Sequence, residues 1–258
     1  MPADEIIIKI YLSLWLTVFG AVLGSFLACA VSRWAAGERM FAGRSKCASC
    51  GHILSFFDLF PVFSYLFLRG KCRYCGAKIP ADCILSELAG AVSFLLLAWN
   101  VPLSRLPCWL IMAVFLLAVS LADGAKRIIP DGLLLALLVN RIVWFFVWKE
   151  DISVLFGVLK AALVPAALLA LVLLGERLTG RELMGGGDIK LLLVLSGYLT
   201  WAQQLLGLLA GCVFGLILSV ISGQKRGNAI PFGPFLAAGA IVSVTLGGPI
   251  IGWYFSLF

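Results

Sequence analysis

Long apolar runs constrain this chain more than any other feature of its sequence. Of its 258 residues, 62% are hydrophobic and only 13% are charged, a balance far from that of a soluble domain. A helix that crosses a bilayer upright needs roughly 20 apolar residues, and some of the runs are shorter. We therefore expect an all-α, multi-pass membrane protein with about eight transmembrane helices. The predicted spans are Ile10–Val31, Cys83–Trp99, Cys108–Ala122, Asp131–Trp148, Ile152–Gly175, Ile189–Trp201, Leu205–Ser222 and Ile230–Phe255.

The distribution of lysine and arginine predicts how these helices are oriented. With the N-terminus outside, the inner connections carry fifteen Lys and Arg residues, and the outer connections carry only Arg105 and Lys149. This bias places the inner connections in the cytoplasm. A basic cytoplasmic face attracts anionic lipid and accounts for the net charge of +7, so no nucleic-acid partner is expected. Residues 1–5 are acidic rather than basic and no small-residue cleavage site follows the first run, so we expect the first helix to be retained.

Four cysteines in the long polar segment, residues 32–82, have the spacing of metal ligands. Cys47 and Cys50 form one CxxC pair, Cys72 and Cys75 form a second, and a glycine follows each pair. Two such pairs suit a tetrahedral zinc site, because each presents two thiolates to one ion. A disulfide pair is the alternative, but cytoplasmic thiols stay reduced. We predict a cytoplasmic module, between the first and second spans, that binds one structural zinc ion.

An apolar stretch, residues 53–68, separates the two cysteine pairs. It is short for a span, and crossing the bilayer would put the pairs on opposite sides, where they could not share one ion. We expect it to lie at the membrane interface with its aromatic rings among the headgroups. His52, beside the first pair, is a candidate ligand, but the four cysteines already complete a zinc site.

Two aspartates are the main candidates for function. Asp123 and Asp188 interrupt apolar sequence at the cytoplasmic edge of predicted spans, where a carboxylate is costly unless it is paired, solvated or protonated. Asp123 ends its span, where the helix dipole disfavours a negative charge. Asp188 could cap a helix, but the glycines at 185–187 indicate close approach of another backbone or an extended substrate. Asp131, after Pro130, is instead interpreted as a helix-start residue.

Two carboxylates on the same side of a membrane predict a catalytic dyad. In a low-dielectric site both cannot easily ionise, so one retains a proton and the pair titrates jointly. The ionised member can act as general base on a water molecule, while the protonated member hydrogen-bonds the scissile carbonyl. This is aspartic-protease chemistry, and a zinc ion held by four thiolates has no open position for a catalytic water.

Several segments carry a family resemblance. They are Gly24-Ser25-Phe26-Leu27, both cysteine pairs, residues 58–76, Glu87, Asp123 with Ile129-Pro130-Asp131, Gly185-Gly186-Gly187-Asp188-Ile189-Lys190 and Ile230-Pro231-Phe232-Gly233-Pro234. With these segments the chain resembles the type IV prepilin peptidases, bacterial inner-membrane aspartic proteases with a Gly-x-Gly-Asp motif. The resemblance implies cytoplasmic cleavage of the basic leader of prepilin or pseudopilin precursors. It also implies methylation of the new N-terminus, with S-adenosylmethionine as methyl donor.

The resemblance also implies roles for particular residues. Asp123 and Asp188 take the places of the catalytic pair, and the four cysteines take those of the zinc ligands. Gly70 and Glu87 are expected to be associated with methyl transfer. Support of the substrate or of the active-site loop is expected from Gly185, Gly186, Gly187 and Lys190. The implied domains are a first transmembrane helix at 1–31, a zinc module associated with methyl transfer at 32–82, and a transmembrane protease domain at 83–258.

The chain departs from the family pattern after Leu27. It continues Ala28-Cys29-Ala30-Val31-Ser32-Arg33-Trp34-Ala35 and lacks the usual asparagine and proline, so a variant with peptidase activity alone stays open. A proton- or cation-coupled transporter is the rival class, because intramembrane acids often mark ion pathways. Arg141, beside Asn140, fits either such a pathway or a structural pairing with an acid. The absence of an internal repeat disfavours a transporter, and a non-enzymatic zinc scaffold would leave the triple glycine unexplained.

Overall fold

The structure of the protein is a computed structural model that describes residues 3–41, 43–180, 183–221 and 231–256. Within these ranges the chain forms helices, turns and two isolated β-bridges. The helices are α1 Ala3–Ala35, α2 Phe63–Phe67, α3 Ala81–Asn100, α4 Leu106–Lys126, α5 Asp131–Val147, α6 Ser153–Thr179, α7 Gly186–Leu195, α8 Trp201–Ile221 and α9 Gly233–Phe255, with a short 3-10 helix at Phe56–Leu59. The predicted all-α class is therefore confirmed.

Six of these helices are long and apolar enough to cross a membrane. They are α1 from Ile6, α3, α4, α6, α8 and α9. The prediction of a multi-pass membrane protein is confirmed, and the predicted count of eight is approximate. Helix α5 has 17 residues, close to the length of a span, and α7 has only 10. The predicted ends at Ser222 and Ile230 lie outside the described residues.

At α7 the structure corrects the predicted span Ile189–Trp201. The apolar sequence continues from Ile189 to Trp201, but the helix ends at Leu195 and a turn separates it from α8. Ten residues extend only about 15 Å, half the thickness of the hydrocarbon core. The turn is only five residues long, 196–200, and stands between two strongly apolar helices, so hydropathy averaged over a window does not locate this break.

The chain divides into two compact units, one ending at Leu121 and the other beginning at Ala122. In the first unit, α1 packs against α3 through glycines. A Cβ atom at Gly24 would lie 2.2 Å from the Ser86 carbonyl oxygen, and one at Gly90 would lie 2.2 Å from the Gly20 carbonyl oxygen. Only glycine permits this approach of the two backbones, which accounts for the glycine of the Gly24-Ser25-Phe26-Leu27 segment.

In the second unit, α8 and α9 pack in the same way. A Cβ atom at Gly239 would lie 2.0 Å from the Gly207 carbonyl oxygen, and one at Gly211 would lie 2.9 Å from the Phe235 carbonyl oxygen. The hydroxyl of Ser243 on α9 donates a hydrogen bond to the Gln203 carbonyl oxygen on α8. Small residues give membrane helices this close van der Waals packing where no hydrophobic force drives association. The packing holds the first turn of α9 in place.

Candidate active site and metal centre

Asp123 lies in the last turn of α4, and its side chain is buried, with 6% of the residue's surface exposed. Its carboxylate Oδ2 accepts a hydrogen bond of 2.8 Å from the backbone N–H of Gly233, the first residue of α9. The N–H groups of a first helical turn lack partners within their own helix, and the positive end of the dipole favours a nearby anion. The start of α9 therefore stabilises a carboxylate that its own helix end disfavours.

Gly233 is a residue of this site whose role sequence reasoning missed. A Cβ atom there would lie 2.9 Å from Oδ2 of Asp123, so a side chain would displace the carboxylate. The signal was present in the segment Ile230-Pro231-Phe232-Gly233-Pro234, which matched the family pattern. The sequence alone did not indicate that this segment meets Asp123, because 110 residues separate the two. Ile230 itself lies outside the described residues.

Asp188 lies in the first turn of α7, where its backbone N–H donates to the Gly185 carbonyl oxygen. Its side chain is half-buried and close enough to Asp123 for the charge of that residue to act on it. The structure thus brings together two aspartates that lie 65 positions apart in the sequence, on α4 and α7. Because each negative charge disfavours the other, two carboxylates that interact in this way are less easily ionised together.

The three glycines before Asp188 differ in their surroundings. A Cβ atom at Gly187 would lie 3.2 Å from Cβ of Ile129, in the loop that follows α4, so this glycine permits close contact between α7 and that loop. A Cβ atom at Gly185 would lie 3.4 Å from Oδ2 of Asp188, and one at Gly186 would meet no described atom within 4 Å. Gly185 and Gly186 are exposed, and they leave open space beside the carboxylate.

Lys190 connects α7 to the first residue of α5. Its Nζ lies 2.8 Å from Oδ1 of Asp131, with the two side chains 60% and 75% exposed. Asp131 begins α5 as predicted, and there it also benefits from the helix dipole. An ion pair this exposed contributes little to stability, so the Lys190–Asp131 pair contributes little to holding α7 in position.

The four predicted zinc ligands come together in the first unit. The Sγ atoms of Cys47, Cys50, Cys72 and Cys75 all lie within 4.8 Å of one another, an arrangement that could hold a metal ion. Zn–S bonds of about 2.3 Å in a tetrahedron fit a cluster of this size. The donor set is therefore suited to zinc.

Two similar hairpins build this cluster. The Cys47 N–H donates to the His52 carbonyl oxygen at 2.9 Å, and the Cys72 N–H donates to the Ala77 carbonyl oxygen at 2.8 Å. Gly51 and Gly76, with φ of 70° and 71°, make the tight turns that their positions after each pair predicted. The His52 ring lies against the Tyr74 ring, with centroids 3.6 Å apart and planes tilted by 33°, and this contact links the hairpins.

The electrostatics of the cluster favour a bound cation. Hydrogen bonds from the backbone of Cys50 and Ser49 lower the pKa of the Cys47 thiol to about 6. The backbone of Ala77 has the same effect on Cys75, but burial and the three neighbouring thiols outweigh it and raise the pKa of that thiol to about 11. Four adjacent thiolates repel one another, and a metal ion removes this repulsion.

The segment between the cysteine pairs folds into pieces too short to cross a bilayer. It contains the 3-10 helix and the five-residue α2, and Phe56, Phe57 and Phe67 are exposed. Asp58 anchors it: the Ser55 N–H and hydroxyl and the Tyr74 hydroxyl donate to Oδ2, and Arg73 lies 2.8 Å from Oδ1. Its placement at the membrane interface stays a prediction.

Glu87 and Gly70 each have a conformational role in the first unit. Oε2 of buried Glu87 on α3 accepts a hydrogen bond of 2.7 Å from the N–H of Val62, which has a φ of 62°. Gly70 has a φ of 68°, and a Cβ atom there would lie 3.0 Å from the ring of Tyr65. The structure gives both residues a conformational role, and their association with methyl transfer stays a prediction.

Known proteins match this chain over most of its length. A family model described as the bacterial peptidase A24 N-terminal domain matches residues 18–101, and one described as the type IV leader peptidase family matches residues 110–220. The chain is 34% identical over 222 residues to the prepilin leader peptidase/N-methyltransferase of Aeromonas salmonicida, covering 83% of this chain and 75% of the relative. The chain belongs to the type IV leader peptidase family.

Other members of the family extend the likeness. The prepilin leader peptidase/N-methyltransferase of Dichelobacter nodosus is 34% identical over 225 residues, covering 83% of this chain and 74% of the relative. That of Pseudomonas aeruginosa is 31% identical over 267 residues, covering 92% and 91%. No solved structure matches the chain. The matched regions contain the cysteine cluster and the two aspartates, and the chain is a multi-pass membrane peptidase.

The metal centre leads to a direct prediction. We expect one zinc ion per chain in the purified protein, and none after the double substitution Cys47→Ser/Cys72→Ser, which removes one ligand from each hairpin. Cys212→Ser, which changes a cysteine of α8 outside the cluster, is the matched control and should keep the metal. Elemental mass spectrometry gives the stoichiometry. A wild-type protein without zinc, in which all four thiols react freely with alkylating reagent, would contradict the prediction.

Proposed function

We propose that this protein is an aspartic endopeptidase that cleaves the leader peptide from prepilin or pseudopilin precursors at the cytoplasmic face of the inner membrane. The observation that carries the proposal is that Asp123, at the end of α4, and Asp188, at the start of α7, interact in a chain that belongs to a peptidase family. The relatives' names supply the substrate class. The fifteen basic residues of the inner connections supply the orientation.

The two aspartates take different roles in the proposed reaction. The hydrogen bond from Gly233 and the dipole of α9 favour the ionised form of Asp123, so we assign this residue as general base. Asp188 holds the shared proton and donates a hydrogen bond to the oxygen of the scissile carbonyl. Asp123 takes a proton from a water molecule as that water attacks the carbonyl carbon.

The second half of the reaction returns both groups to their starting states. The tetrahedral intermediate collapses, the C–N bond breaks, and the proton held by Asp123 passes to the leaving amine. That amine is the new N-terminus of the mature pilin. The glycines at 185 and 186 leave room beside Asp188 for an extended peptide, because side chains there would narrow the approach.

We propose methylation of this new amine as a second activity, with S-adenosylmethionine as methyl donor. The relatives' names include N-methyltransferase, and the matched N-terminal domain covers the cysteine cluster and Gly70. If bound, S-adenosylmethionine would supply the methyl group: its S–CH3 bond would break as the neutral amine forms the N–CH3 bond, a thioether would leave, and the methylated amine would lose a proton. The zinc ion has a structural role in this scheme, and the division into 1–31, 32–82 and 83–258 separates the methyl-transfer module from the protease. The departure after Leu27 keeps a peptidase-only variant as the alternative.

The dyad predicts a steep loss of cleavage on substitution. We expect Asp123→Asn and Asp188→Asn each to lower the cleavage rate of a purified prepilin by about 10⁴-fold or more, because each removes one half of an acid–base pair that acts as a unit. Asp131→Asn is the matched control: it changes an exposed carboxylate in the same region and should cost less than about tenfold. Gel separation of precursor and mature pilin gives the rates. Cleavage at the wild-type rate by either catalytic variant would overturn the proposal.

Gly70→Val tests whether the two activities use separate parts of the chain. Valine at a φ of 68° is strained by about 1 kcal/mol or more and would also crowd Tyr65, so we expect methyl transfer to fall and cleavage to stay within about twofold. Gly37→Val is the control, because it places the same residue at a φ of 76° with no described atom within 4 Å. Mass spectrometry of the processed pilin reads cleavage and the added methyl group together. Equal loss of both activities in Gly70→Val would contradict the separation.

A further inference from the structure

The turn between α7 and α8 lies deep in the second unit. Lys190, in the second turn of α7, pairs with Asp131, the first residue of α5. The turn that follows α7 lies beside Asn140 and Arg141, nine and ten positions further along α5. A rise of 1.5 Å per residue places this turn about 15 Å along α5 from Asp131.

Where such a turn is buried in a membrane protein, other protein groups must satisfy the hydrogen bonds of its backbone. Arg141 does so at Gly197: its Nε donates a hydrogen bond of 2.5 Å to the Gly197 carbonyl oxygen. Its Nη2 pairs at 2.5 Å with Oε2 of Glu150, from the turn after α5, and the two side chains are only 14% and 11% exposed. Of the two interpretations of Arg141 left open by the sequence, the structure supports pairing with an acid.

Other polar side chains hold the same end of α7. The Tyr198 hydroxyl donates to the Leu137 carbonyl oxygen and accepts from the Asn140 side chain. The Gln204 amide, on α8, donates to the Leu192 carbonyl oxygen at 2.6 Å. These contacts are buried, whereas the Lys190–Asp131 pair at the other end of α7 is exposed to solvent. The buried polar contacts that these side chains make are therefore at the end of α7 away from Asp188.

We propose that Arg141, with Glu150, is a positioning residue of the aspartate pair. By holding the Gly197 carbonyl, Arg141 fixes the end of α7 and thereby the separation of Asp188 from Asp123. This inference rests on the proposed peptidase function. The fit is close: a Cβ atom at Gly197 would lie 3.3 Å from Cγ of Arg141, so the glycine makes room for the arginine side chain.

The test uses the full-length protein in detergent with a purified prepilin precursor. We expect Arg141→Met to lower kcat by about tenfold or more with KM changed by less than about twofold, because misplacement of a catalytic group by about 1 Å acts on the chemical step. The bell-shaped pH dependence of kcat should also become narrower, since carboxylates further apart couple less strongly. An arginine that only stabilises the fold would lower the yield or the melting temperature and leave kcat and the width of the bell unchanged.

Two further variants keep the test decisive if Arg141→Met folds poorly. In Arg141→Met/Glu150→Gln no unpaired buried charge remains, so the fold should recover while kcat stays low. Arg141→Lys keeps the charge near Glu150 but lacks the planar fork, and it should recover only part of kcat. Lys160→Met, which removes an exposed cation of α6, is the matched control and should behave as wild type.

Hydrogen exchange separates the failure of this inference from the failure of the proposed function. Amides in residues 186–200 should exchange faster in Arg141→Met than in Lys160→Met, whatever the protein cleaves. A wild-type protein that does not process prepilin contradicts the proposed function. A wild-type protein that does, together with an Arg141→Met variant of unchanged kcat, pH profile and exchange, overturns the positioning role.

Discussion

A carboxylate in apolar surroundings must have partners, and the second unit is arranged around this requirement at Asp123. The carboxylate accepts the N–H of Gly233 at the start of α9, where unpaired donors and the helix dipole both favour an anion. The absence of a side chain at Gly233 makes the contact possible, and close glycine packing of α9 on α8 keeps it in place. Asp188 then approaches a group whose position is already determined.

The same requirement governs the other polar groups of this unit. Arg141 and Glu150 pair with each other, Asn140 and Tyr198 with each other, and Gln204 with a backbone carbonyl. Each contact secures the turn after the half-length helix α7. The cysteine hairpins of the first unit enclose little apolar core. Four thiols arranged for a metal ion can stabilise them in place of such a core. The proposed structural ion and the proposed aspartate pair therefore belong to different units of the chain.

Sequence reasoning predicted what depends on composition and local spacing. The all-α membrane fold followed from the apolar runs, and the cysteine cluster from two CxxC pairs with glycine after each. The length of α7 could not be predicted, because hydropathy does not distinguish a continuous helix from a break whose carbonyls are satisfied by Arg141 and Gln204. The role of Gly233 was missed for a related reason, since its contact with Asp123 joins distant parts of the chain. The transporter hypothesis also becomes weaker, because Arg141 pairs with Glu150.

The protonation state of the aspartate pair tests the central claim most directly. Infrared spectroscopy of the purified protein at neutral pH, read as the difference between wild type and variant, detects the carbonyl stretch of a protonated carboxyl group. A pair that shares one proton predicts the loss of one such band in Asp188→Asn and of the same band in Asp123→Asn, because either aspartate left alone ionises more easily. If the carbonyl band of protonated carboxyl groups is unchanged in both variants, neither aspartate carries a proton, and the dyad is contradicted.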